Sequence, residues 1–292
     1  VNLLRELGAA GRAVLTDGAL GTELQARGLA AGELPDAWNL SRPDVVEEVI
    51  RAYVDAGSDI VLTATFRANR LALAAQELDG KVVEINRAGV AIARRAAAGR
   101  ARVFGSIGPS GKLLLMGDIT EQQLEGAFSE QAEIMAQAGA DAIVIETMSD
   151  LAEAAIAVRA AAASGLPVVA SMVFDSGKNK DRTMMGATPE RAAAQLEAAG
   201  AQAVGANCGV GIACYIDICR RLRAATGLPV WIKPNAGLPE MVDGRAVYRT
   251  SAEAFVAHVP ALLSAGATYV GGCCGTTPDF IRAMRAVLDQ RA

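Results

Sequence analysis

The chain has 292 residues, of which 52% are hydrophobic and 21% charged, so it can bury a large core. A net charge of −4 gives no electrostatic footprint for nucleic acid or an acidic membrane surface and points to small-molecule work. The first residues, Val1 to Leu7, mix charge with leucine and resemble neither a signal peptide nor a membrane span. Five cysteines without a dense framework then suggest a reducing cytoplasm.

In chain order, eight short apolar runs read as strands. Val14 to Asp17 comes first. Ala56-Gly57-Ser58-Asp59 then ends a helical stretch and leads into Ile60-Val61-Leu62. Arg102 to Ile107 is third, and Ala138-Gly139-Ala140-Asp141 introduces Ile143-Val144-Ile145 as the fourth. Ser164-Gly165-Leu166-Pro167 precedes Val168-Val169-Ala170, Ala199-Gly200-Ala201-Gln202 precedes the strand ending near Cys208, and Thr226-Gly227-Leu228-Pro229 precedes the strand from Val230. Ala265-Gly266-Ala267-Thr268 leads into the last, Tyr269-Val270. The repeated Ala-Gly supplies a left-handed helix cap before a strand. Runs that are apolar without alternation suit strands covered on both faces, and Ala91 to Ala98 and Ala160 to Ala163 read as helix interior. The pattern predicts an α/β protein, a (β/α)8 TIM barrel forming a single domain over residues 1–292.

Active sites of such barrels collect where strands end. The predicted strand ends carry Asp17, Thr63, Thr65, Ser106, Glu146, Thr147, Ser171, Asn207, Cys208, Lys233, Asn235, Cys273 and Cys274. Cys273 and Cys274 lie in Gly271-Gly272-Cys273-Cys274-Gly275-Thr276-Thr277-Pro278, where glycines permit a turn that lets both sulfurs face one point. A disulfide between them is poorly served: neighbouring Cα atoms lie about 3.8 Å apart, whereas bridged cysteines usually sit roughly 4.4 to 6.8 Å apart. A soft metal ion fits better, with Cys208 in Ala206-Asn207-Cys208-Gly209 as the third ligand. Cys214 and Cys219 fall in a helical stretch, Ile212 to Thr226, and read as packing residues. The single histidine, His258, lies in the helical run Ala252 to Leu263. From the residues alone, Asp17 reads equally well as a turn residue and Glu146 as a barrel-mouth ion pair.

Several segments together resemble the homocysteine S-methyltransferase family, a family of zinc-dependent barrels. They are Asp17-Gly18-Ala19-Leu20-Gly21-Thr22, Gly105 to Gly111, Asp141 to Thr147, Gly205-Ala206-Asn207-Cys208, Pro234-Asn235-Ala236-Gly237-Leu238-Pro239 and Gly271 to Pro278. The resemblance implies zinc on Cys208, Cys273 and Cys274, acting catalytically through the metal. It implies homocysteine held at its amino group by Glu146 and Asp17 and at its carboxylate by backbone around Gly18 and Ala19. Asn235 matches a position that can fill the vacant metal coordination site before substrate arrives. Pro234 to Pro239 leans toward the cobalamin-dependent branch, so the expected donor is a methyl group on a separate corrinoid protein (methylcobalamin). Alternatives are a sulfonium- or betaine-dependent homocysteine or selenocysteine methyltransferase and, in another class, a non-catalytic zinc-binding or thiol-sensing barrel. Thr63-Ala64-Thr65-Phe66 departs from the family's usual Thr-Asn-Thr-Phe. The loop Asp175 to Gly186, with Lys178, Lys180 and Arg182, reads as a solvated surface loop or a contact for the donor.

Overall fold

A computed structural model describes residues 3–9, 12–30, 32–242 and 245–290. Eight strands pair in parallel around a barrel in the order β1 (Val14–Leu15), β10 (Tyr269–Val270), β7 (Val230–Pro234), β6 (Ala203–Cys208), β5 (Val168–Met172), β4 (Ala142–Met148), β3 (Arg102–Ile107) and β2 (Ile60–Leu62). The predicted (β/α)8 architecture is the observed one. A hairpin, β8 (Glu240–Val242) with β9 (Arg245–Val247), rises from the loop after β7 and was not foreseen. Each Ala-Gly signal does what its spacing suggested: Gly57, Gly139, Gly200 and Gly266 have φ between 93° and 109° just ahead of a strand.

Side chains alternate between two cores. Ile143, Ile145, Val204, Ala206 and Ile232 pack outward against the helices. Val14, Ile60, Leu62, Phe104, Ala142, Val144, Val169, Ala203, Trp231 and Tyr269 fill the barrel interior, with Leu4 closing its lower end. Phe104 and Trp231 stack at 6.2 Å, and Trp231 meets Tyr269 at 5.3 Å. Two residues further along each strand, the same inward parity turns polar: Ser106 after Phe104, Glu146 after Val144, Ser171 after Val169 and Lys233 after Trp231. The apolar plug therefore ends in a buried polar layer at the strand ends.

β1 and β2 meet at a seam bonded largely through side chains. Asp59 Oδ2 accepts from Leu15 N–H (2.8 Å) while its own N–H donates to Leu15 O (2.7 Å). Higher up, Asp17 Oδ2 accepts from Leu62 N–H at 2.7 Å. Both aspartates thus satisfy backbone groups that a regular ladder would have paired.

Candidate metal centre and acceptor cavity

The Gly271-Gly272-Cys273-Cys274 segment continues the course of β10 between its neighbours. Gly271 N–H donates to Ile232 O (3.1 Å), Gly272 N–H to Asp17 O (3.0 Å) and Cys273 N–H to Pro234 O (2.9 Å). The glycines are required by contact: a Cβ on Gly271 would lie 1.9 Å from Thr16 Oγ1, and one on Gly272 would lie 2.2 Å from Thr276 Oγ1. Thr276 then ties the turn, donating from N–H (3.1 Å) and Oγ1 (2.7 Å) to Cys273 O. On β6, regular pleating would send Cys208 outward with Val204 and Ala206. Its φ of 65° lies in the left-handed region instead, and Tyr215 Oη donates to Asn207 O at 2.8 Å to hold the bend. The result brings the Sγ atoms of Cys208, Cys273 and Cys274 within 4.8 Å of one another.

The three thiols share protons unequally. Hydrogen bonds from Cys273 and Cys274 pull the Cys208 thiol down to about 3. The bond to Cys208 pushes Cys273 up to about 11 and drives Cys274 further up. A divalent soft cation bound there would take the place of thiol protons. Asn207 is buried behind the cluster. Its Oδ1 accepts from Thr147 N–H (2.9 Å) and Ser171 Oγ (2.7 Å), and its Nδ2 reaches Thr147 Oγ1 (2.7 Å) and Cys273 Sγ (3.9 Å). Thr147, at φ 60°, is a second left-handed residue beside the site.

A cavity of about 250 Å³ opens against the sulfurs. Asp17, Lys233, Ser106 and Glu146 line its inner end, Gly18, Ala19 and Leu20 one wall, and Phe66 and Arg67 its rim. Burial raises the Glu146 carboxyl to about 7, opposed by the charge of Lys233; Ser106 Oγ donates to Glu146 Oε1 at 2.5 Å. Lys233 forms a buried ion pair with Asp17. Burial alone would lower its pKa, but Asp17 and then Glu146 raise it, so the ammonium stays charged.

Residues 14–288 match the family model described as homocysteine S-methyltransferase. The chain belongs to the homocysteine S-methyltransferase family. It is 33% identical over 296 residues to methionine synthase of Mycobacterium leprae (strain TN), covering 95% of this chain and 24% of that protein. The methionine synthase of Mycobacterium tuberculosis (strain ATCC 25618 / H37Rv) is also 33% identical, with 95% and 25% covered. The chain therefore spans about a quarter of the length of these curated relatives. Among solved structures, the oxidized form of the homocysteine methyltransferase MmuM from Escherichia coli superimposes with a TM-score of 0.81 at 26% identity, covering 98% of this chain and 100% of that one.

In this family member the cavity gathers Asp17, Gly18, Ala19, Glu146 and all three cysteines of the predicted set. Asn235 lies behind Cys208 and lines an adjoining cavity of about 230 Å³ with Gly211, Cys214 and His258. Its Nδ2 donates to Gly209 O (2.8 Å), while its buried Oδ1 has no partner among the described residues. Three thiols converging on one point form a donor set that suits zinc. Ala19 N–H already donates to Thr276 O at 3.2 Å, whereas Gly18 N–H has no hydrogen-bond partner among the described residues. Cys219 is buried as expected, whereas Cys214 is exposed at the start of the helix Ile212–Ala225 and packs little.

Lys233, Asn207 and Tyr248 carry no predicted role. The inward parity after Trp231 and Gly205 signals the first two. Tyr248 follows the unforeseen hairpin, and a Cβ on Gly275 would lie 2.2 Å from its ring. Its phenol pKa is raised by burial and then by Cys274.

Proposed function

We propose that the chain transfers a methyl group from an external donor to the sulfur of homocysteine, giving methionine. The observation that carries this reading is the cluster of three cysteine sulfurs within 4.8 Å, set against a cavity that also exposes Glu146 and Gly18. Cys208, Cys273 and Cys274 would hold zinc, which, when bound by three thiolates, lowers the pKa of a thiol while leaving its sulfur nucleophilic. Asn235 Oδ1 is the chain's own candidate for a further ligand when no acceptor is present.

The residues around the cavity orient the acceptor. Glu146, once ionised, faces the substrate ammonium, and Gly18 N–H meets the carboxylate on the wall shared with Ala19. Leu20, Leu24, Leu62 and Phe66 cover the rest and keep water from the reacting sulfur. The acceptor's S–H proton passes to solvent as the thiol binds, a new S–C bond then forms, and the pair from the broken methyl–donor bond stays with the donor.

A methyl group on a corrinoid carrier is the favoured donor. Pro234 to Pro239 supports it, and so does an apolar rim: Leu115, Met116, Met184, Met185, Leu238 and Met241 are exposed on the segments that follow β3, β5 and β7, Met241 on the β8 strand of the hairpin. The test is methionine formation from homocysteine with a panel of donors including methylcobalamin and sulfonium compounds. Turnover with methylcobalamin is expected. Zinc-loaded protein that forms no methionine with any of them would overturn the reading.

A further inference from the structure

Lys233 has no task in the reaction just described, yet it is a buried cation that lines the cavity. It is 2% exposed, and its ion-pair partner Asp17 is 1% exposed. Both carboxylate oxygens of Asp17 are occupied, Oδ2 by Leu62 N–H and Oδ1 by Lys233. An ammonium carries three N–H donors, and Asp17 is the only acceptor that Lys233 has among the described residues. Below it lies the Trp231 ring, 5.8 Å away. Buried donors without acceptors are costly, and this ammonium lines the cavity beside Gly18, Glu146 and Cys273.

We propose that Lys233 is a specificity-determining residue: its ammonium holds the place at Asp17 that a substrate ammonium would take, and its remaining donors bind the carboxylate of the thiol acceptor. A second ammonium brought to Asp17 would meet a like charge in a poorly solvated pocket. Asp17 becomes a positioning residue for Lys233, and only Glu146 is left to read an amino group. Gly18 N–H, adjacent to Asp17 in the chain, supplies a second donor to the same carboxylate. The acceptor class is then a carboxylate-bearing thiol of about homocysteine's length, whose amino group contributes little to binding. This inference rests on the thiol-methylation reading and refines which acceptor that site takes.

Calorimetry on zinc-loaded protein separates the possibilities, using homocysteine, 4-mercaptobutanoate (no amine) and 3-mercaptopropylamine (no carboxylate). Losing the amine should weaken binding by no more than about 3-fold, and losing the carboxylate by about 10- to 150-fold. Lys233→Met should weaken both carboxylated thiols by that larger factor and leave 3-mercaptopropylamine unaffected. Because this change strands a buried carboxylate, the Asp17→Asn/Lys233→Met double variant, which removes both charges together, is measured beside it. Native protein that binds 3-mercaptopropylamine as well as homocysteine and rejects 4-mercaptobutanoate would overturn the proposal while leaving thiol methylation standing. If 4-mercaptobutanoate binds and homocysteine does not, the homocysteine reading falls and this inference stands; if neither binds, both fall.

Discussion

Cys208 shows how much of the site depends on single backbone angles. With an ordinary strand conformation its sulfur would face the helices; at φ 65° it joins Cys273 and Cys274. Single Cys→Ala variants at these three positions should each lose most bound zinc by metal analysis, whereas Cys214→Ala and Cys219→Ala should retain about one zinc per chain. Glu146 gives a second prediction. Its carboxyl is raised from 4.5 to about 7, so the folded protein keeps this proton longer than the unfolded chain does. The associated stability is full below the unfolded value and is lost as pH rises through about 7, a change on the order of 3 kcal/mol at most. In metal-free protein, Glu146→Gln should flatten the fall in melting temperature between about pH 5 and 8. An unchanged slope would assign the titration elsewhere. The cysteines were legible because glycines announced strand ends on both sides of them. The Asp17–Lys233 pair was not, since it joins residues 216 positions apart and only closure of the barrel brings them together.

At the level of elements, the seam between β1 and β2 and the segment after β10 are one construction. Asp17 serves both: its carboxylate bonds Leu62 on β2, and its carbonyl accepts from Gly272. Gly271→Ala would force a Cβ to 1.9 Å from Thr16 Oγ1, so the backbone must shift. The expected cost is about 1 to 3 kcal/mol in denaturant unfolding, together with reduced zinc binding, because Cys273 follows two residues later. Full zinc occupancy in that variant would show that the segment tolerates displacement. The strands were readable from Ala-Gly caps and apolar runs, although β1 and β10 are only two residues each. The helical run from Ala252 breaks into Ala252–Val256 and Val259–Ser264 because Pro260 suits the first turn of a new helix. Strand β8 is exposed throughout and carries no buried alternation, which is why its sequence gives no strand signal.

Across the whole molecule, the apolar plug, the polar layer and the cysteine cluster are stacked along one barrel axis, and exposed apolar side chains crowd the loops at the same end. No helix among the described residues is long and apolar enough to cross a membrane. If the apolar rim receives a corrinoid carrier, Leu115→Ser together with Met116→Ser should raise the KM for a protein-borne donor while leaving homocysteine affinity within about 2-fold. An equal loss with free methylcobalamin would assign those residues to folding. If Cys208, Cys273 and Cys274 hold a metal that receives the acceptor's sulfur, X-ray absorption of zinc-loaded protein will register the exchange of ligands. Zinc is expected to carry three sulfurs and a lighter ligand without homocysteine, and four sulfurs when homocysteine saturates the protein. A first shell that homocysteine leaves unchanged would contradict it.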